Sequence, residues 1–157
     1  MSAAWTIRAA QEPDADAWCA LRSALWPEED AGAIAAGTRA YFGARADFEG
    51  RRKSVTWLAV GAGGVVVGFA EATLRNDHVN GTATSPVGFL EGLYVVPAHR
   101  RAGIGRALVA AVEGWVREAG CSELASDAYI TSVASHAAHR AYGFEETERV
   151  VYFRKHV

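Results

Sequence analysis

The chain has 157 residues, with 16 lysines and arginines against 18 aspartates and glutamates, and half of it is apolar. That length and balance suit one globular domain, residues 1–157, able to bury a core without disulfides or a structural metal. A formal net charge of -2 argues against a general nucleic-acid binder, which needs a basic surplus, and no run approaches the roughly 18 apolar residues of a membrane span.

The opening MSAAWTIRAAQEPDAD lacks a basic stretch followed by an apolar one, so no signal peptide is expected. Cys19 and Cys121 lack CxxC spacing, so no zinc site is expected. Set among apolar residues, they read as buried thiols in a reducing cytoplasm.

In chain order, Thr6 to Ala10 is a short strand. Pro13 and Asp14 open a helix whose Ala17, Trp18, Leu21, Ala24 and Leu25 keep helical spacing. It should stop near Trp26, because Pro27 biases its predecessor away from the helical region. A second, alanine-rich helix is expected from Glu28 to about Ala46, acidic at its start as the helix dipole prefers. Ser54 to Gly61 and Val65 to Leu74 read as the two strands of a hairpin, with a glycine-rich turn over Gly61 to Gly64. Arg75 to Pro86 is a polar loop long enough to be functional or mobile.

Val87 to Val96 is the central strand. After PAHRRAGIG comes the clearest amphipathic helix, with Leu108, Val109, Val112, Trp115, Val116 and Ala119 on one stripe and Gly120 at its end. SELASDA (Ser122 to Ala128) is a strand, Ser132 to Tyr142 a short helix closed by Gly143, and Thr147 to Phe153 a last strand. The order βααβββαβαβ implies an α/β fold, a mixed central sheet flanked by helices.

The strongest motif is VVPAHRRAGIGRALV, Val95 to Val109. A strand ends, and Arg100, Arg101, Ala102, Gly103, Ile104 and Gly105 lead directly into a helix. Free backbone N–H groups and the helix dipole favour an anion there. Gly103 and Gly105 let backbone come close, and Arg100, Arg101 and Arg106 add charge. Together they describe a pyrophosphate site. No GK[ST] follows, so a Walker A loop is excluded.

This R-R-x-G-I-G segment resembles motif A of the GNAT N-acetyltransferases, and the element order resembles the GNAT fold over essentially the whole chain. LRSALWP (Leu21 to Pro27), VNGTATSPVGFLEGLYVVPAHRR (Val79 to Arg101), ASDA (Ala125 to Ala128) and GFEETERVVYFRK (Gly143 to Lys155) further resemble the aminoglycoside 6'-N-acetyltransferases of type I. The resemblance implies acetyl-CoA as co-substrate, its pyrophosphate at Arg100 to Gly105. It implies that the central strand splays from its neighbour, so that backbone groups of Leu93, Tyr94 and Val95 bind the pantetheine arm. An N–H of Leu93 or Tyr94 would then polarise the thioester carbonyl. Ser132 matches a CoA-contacting position where asparagine is typical.

Acetylating an amine needs a proton removed, a carbonyl polarised, an oxyanion stabilised and a thiolate protonated. Alternation puts Val87, Phe89, Glu91, Leu93 and Val95 on one face of the central strand. A carboxylate among them must be paired or solvated in a cleft. The resemblance makes Glu91 the substrate-binding glutamate and base through water; the alternative is a structural pair with an arginine. Gly92 would clear space for a ligand. Asp127 and Glu148 match substrate carboxylates of the family, with Glu145 and Glu146 solvated. Trp26 matches a substrate-contacting tryptophan and would equally suit a core. His78 stands where relatives carry an aromatic ring. His139 stands four residues before Gly143, where many relatives carry the tyrosine acid. His139, Tyr142 or no side chain would protonate the thiolate.

The resemblance therefore implies a cytoplasmic enzyme that acetylates aminoglycosides, conferring antibiotic resistance. The final segment, ERVVYFRKHV, rich in β-branched and aromatic residues, would leave an unpaired edge or find a partner. Together with the pairing common among the enzymes it resembles, this leads to the expectation of a homodimer. Charge, apolar-run length and cysteine spacing lead to the expectation of no nucleic-acid or membrane partner and no metal. The sequence leaves open an acetyltransferase for a polyamine or peptide, and a non-catalytic acyl-CoA sensor or antibiotic-sequestering protein.

Overall fold

A computed structural model describes residues 5–44 and 52–157. Its framework is a five-stranded sheet in chain order: β1 (Trp5–Ala9), β2 (Ser54–Gly61), β3 (Val66–Arg75), β4 (Val87–Val95) and β5 (Leu124–Ser126). The first four strands run antiparallel to their neighbours, and β5 lies parallel to β4. Parallel neighbours need a long crossover, which α3 (Ile104–Glu118) supplies.

Side chains alternate across the sheet, so β2 and β3 feed two cores. Leu58 and Phe69 pack with Trp18 and Leu21 of α1 (Ala15–Leu25) and with Tyr41 and Phe42 of α2 (Ala31–Gly43). Their neighbours Ala59 and Ala70 face α3, where Leu108, Val109, Val112 and Val116 are buried as the stripe predicts. Each such residue contributes about 1.5–3 kcal/mol on burial. α4 (Val133–Ala141) follows β5, and Tyr142 and Phe144 after it pack onto the α3 core.

α1 ends at Leu25 with Trp26 as its cap, as Pro27 requires. α2 starts at Ala31, not Glu28, because the Asp30 carboxylate accepts from the N–H of Ala33 and caps the helix there. The expected end at Ala46 lies outside the described residues.

Three expectations need correction. β5 is shorter than Ser122 to Ala128, since three residues alone pair with β4, Gly88 to Leu90 against Leu124 to Ser126. Thr147 to Phe153 forms no strand. A strand exists by pairing, no backbone hydrogen bond among the described residues ties this segment to the sheet, and Val151, Tyr152 and Phe153 stand exposed.

The third correction concerns β4. Glu71 pairs with Gly92 and Ala72 with Leu90, so Glu91 has no partner on β3 and forms a bulge. A bulge shifts the side-chain alternation by one. Val87 and Phe89 therefore pack together on one side of the bulge, while Leu93 and Val95 turn into the α3 core with Leu90. Leu93 and Val95 do not share the face of Glu91.

Candidate active site

The bulge and the short β5 together shape the site. β4 pairs with β3 along Leu93, Tyr94 and Val95, but its pairing with β5 stops at Leu90 and Ser126. Beyond that point β4 has a ladder on one edge alone among the described residues. The carbonyl of Val95 is taken by Nε of Arg100 at 2.8 Å. Glu91 and Asp127 are the residues immediately after the last pair, and Asp127 is exposed.

Glu91 is half-buried. Its Oε1 accepts from Oγ1 of Thr73 at 2.6 Å and from the guanidinium of Arg75 at 2.8 Å. The structure thus contains the arginine pair that the sequence held as the alternative, and it also leaves Glu91 30 % exposed at a cavity of about 310 Å³ beside Thr73, Glu71 and Arg22. Arg75 itself lies over the ring of Phe89, 3.6 Å from its centroid.

Trp26 meets Phe69 edge-on at 6.3 Å and lies across Gly92, where an added Cβ would fall 2.8 Å from the indole. Gly92 therefore makes room for Trp26, not directly for a ligand. Below Trp26, Arg22 stacks on both Trp26 and Trp18 and pairs with Glu71 at 3.1 Å. Burial pushes the Glu71 carboxyl above its usual range, opposed by the Arg22 charge and reinforced by the Glu91 charge.

The turn before α3 passes through the left-handed region twice. Arg101 has φ 63° and Gly103 φ 83°, and the N–H groups of the first helical turn, Ile104, Gly105 and Arg106, have no intrahelical acceptor. Arg101, Ala102 and Gly103 are exposed. The glycine at 105 has another cause than the one expected: the Tyr142 hydroxyl sits 2.2 Å from where its Cβ would be. Arg106 donates to the carbonyl of Ala141 at the end of α4, so it braces the fold.

His139 and Tyr142 point to different places. Tyr142 stands over the first turn of α3. His139 reaches β5: Nε2 lies 2.9 Å from Oγ of Ser126, and that hydroxyl lies 3.3 Å from the carbonyl of Leu90, next to Glu91. Nδ1 lies 2.7 Å from the carbonyl of Ser135. A carbonyl can only accept, so Nδ1 carries a proton. Ser132 is half-buried and caps α4 by position, without a side-chain bond to it.

The remaining residues lie at the rim. His78 is exposed in the 76–86 loop, which is held by the buried Val79 beneath it and by Glu123, whose carboxylate accepts from the N–H groups of Ala83 and Thr84 and from the Thr84 hydroxyl. Glu148 is exposed, and its neighbour Thr147 packs against Gly81 of this loop. Glu146 is exposed but paired with Arg140 and Arg149 at 3.1 and 2.5 Å. Sequence reasoning missed Thr73, Arg75, Glu71 and Ser126. The polar residues at every second position of FAEATLR were the available signal for the first three.

The model of the acetyltransferase (GNAT) family matches residues 16–144. The chain belongs to the GNAT acetyltransferase family. A curated aminoglycoside N(6')-acetyltransferase type 1 of Stenotrophomonas maltophilia is 54% identical over 98% of this chain and 95% of its own. One from Acinetobacter haemolyticus is 40% identical over 96% and 98%. Among solved structures, AAC(6')-Iy in complex with the bisubstrate analogue CoA-S-monomethyl-acetylneamine matches with a TM-score of 0.87 and 38% identity, covering 98% of this chain and 99% of that one. AAC(6')-Ih from Acinetobacter baumannii matches with the same TM-score and coverage at 39% identity. No helix among the described residues is long and apolar enough to cross a membrane.

Proposed function

We propose that this acetyltransferase moves the acetyl group of acetyl-CoA to the 6'-amino group of aminoglycoside antibiotics, and so confers resistance to them. The observation that carries the reading is Glu91 at the β4 bulge: an oriented, half-exposed carboxylate beside strand edges that have parted. The near full-length likeness to enzymes named for this reaction supports the acceptor.

The residues divide into two groups by charge. Acetyl-CoA would lie with its pyrophosphate on the N–H groups between Arg101 and Gly105, with Arg100 and Arg101 as counter-charges and Ser132 nearby. The pantetheine arm would take the free edge of β4 at Leu93, Tyr94 and Val95. An N–H of Leu93 or Tyr94 would stabilise the oxyanion, since a preorganised donor acts strongly in a water-poor site. The polycationic acceptor would sit among Glu91, Asp127 and Glu148, whose charge concentrates cations, against Trp26 and His78.

Glu91 would take the amine proton through a water. His139 is the better placed acid, because it lies on the β4–β5 side whereas Tyr142 stands over the α3 turn. Its Nδ1 is engaged with the carbonyl of Ser135, so Nε2 is the nitrogen that would serve the leaving group.

We read residues 1–157 as one domain acting in the cytoplasm. We also propose a homodimer. Exposed Val151, Tyr152 and Phe153 in a segment without a sheet partner among the described residues support it, and Glu148 would then lie near the subunit boundary. Thiol release measured with kanamycin, with spermidine and with no acceptor tests the function. Release with kanamycin alone is expected; release without acceptor, or with spermidine in preference, would contradict it.

A further inference from the structure

β3 presents Glu71, Thr73 and Arg75 at alternate positions, hence on one face. Two of them converge on a single atom of Glu91. Thr73 and Arg75 both hold Oε1, at 2.6 and 2.8 Å, while Oε2 has no hydrogen-bond partner among the described residues. Arg75 is in turn fixed by its stack on Phe89. A bulge residue lacks a cross-strand neighbour, so its side chain needs another constraint to keep one orientation.

We propose that Thr73 and Arg75 are positioning residues for acetyl transfer: by occupying Oε1 they fix the Glu91 carboxylate with Oε2 free to receive the acceptor's amine, directly or through a water. The proposal rests on the role given to Glu91 above. It explains why an arginine can pair with that carboxylate without abolishing its use. The pair consumes one oxygen and orients the other. The other charged groups near Glu91 are Glu71 on β3, already paired with Arg22 of α1, and Asp127 just after β5.

The test is steady-state kinetics with kanamycin and acetyl-CoA, with circular dichroism showing that each variant is folded. Arg75→Gln removes one of the two donors to Oε1. It should lower kcat/KM for kanamycin about 10- to 100-fold, the cost of one hydrogen bond to a charged group, with KM for acetyl-CoA unchanged. Arg75→Lys should restore kcat/KM in large part. Thr73→Val, which preserves the shape of β3, should lower kcat/KM for kanamycin likewise, and Thr73→Ser should restore it. An unchanged kcat/KM for kanamycin in Arg75→Gln and Thr73→Val would overturn the orienting role, as would equal losses for both substrates. Full turnover in Glu91→Gln would instead overturn the role of Glu91 itself, and the proposal with it.

Discussion

The indole of Trp26 fills the space a side chain at position 92 would need, so α1 is docked onto β4 immediately beside Glu91. Introducing Gly92→Ala should force that ring outward. Overpacking of this kind costs about 1–3 kcal/mol. The expected result is a lower denaturation midpoint, a changed tryptophan emission and a raised aminoglycoside KM. A variant with wild-type emission and wild-type KM would show that the ring does not help shape the acceptor side.

The 76–86 loop hangs on the exposed carboxylate of Glu123. The Thr84 hydroxyl, and then the N–H groups of Ala83 and Thr84, hold that carboxyl below its usual range. Glu123→Ala should loosen the loop. Faster hydrogen exchange at Ala83 and Thr84 is expected, with a higher aminoglycoside KM and little change in KM for acetyl-CoA. Unchanged exchange at both amides would refute the latch.

Asp14, bonded by the Arg8 guanidinium at 2.6 Å, has its carboxyl held below the usual range chiefly by that hydrogen bond. A depressed folded value means the unfolded chain binds the proton more readily. The stabilisation is therefore complete above the ordinary aspartate range of about 4 and is lost as pH falls through the lower folded value. Asp14→Asn should be less stable than the parent at neutral pH, with the gap narrowing in acid. Urea denaturation at neutral and acidic pH would check it; a gap independent of pH would refute the assignment.

The unpaired C-terminal segment predicts a dimer mass by light scattering at micromolar concentration. A monomer mass would contradict the assembly. Deleting Val151 to Val157 should abolish dimerisation, and a truncated protein that still pairs would show that another surface holds the two copies together.

Much of this was legible because it is local. The stripe on α3, the stop at Pro27 and the basic glycine turn before Ile104 each depend on neighbours within a few residues. The bulge was not legible: it is a mismatch of counting between β3 and β4, and no single segment reveals it. Hence Leu93 and Val95 were assigned to the face of Glu91. The same holds for Gly92 and Gly105, whose causes are the rings of Trp26 and Tyr142 far away in sequence. Thr147 to Phe153 has strand composition, but a strand needs a partner, and within one chain the short β5 edge does not engage it. The roles of Glu91, Asp127 and Glu148 came from resemblance, which names the residues but not the Thr73 and Arg75 contacts that orient the first.

The central claim is regiospecific transfer that depends on Glu91. The most direct measurement is NMR mapping of the product formed from kanamycin and acetyl-CoA, run beside the Glu91→Gln variant and a 6'-hydroxyl analogue. The account predicts acetylation at the 6'-nitrogen, a far poorer reaction with the hydroxyl analogue, and a rate loss of about 10²–10⁴-fold in the variant. Acetyl found on another amine, or a variant with the parent's kcat/KM, would contradict it.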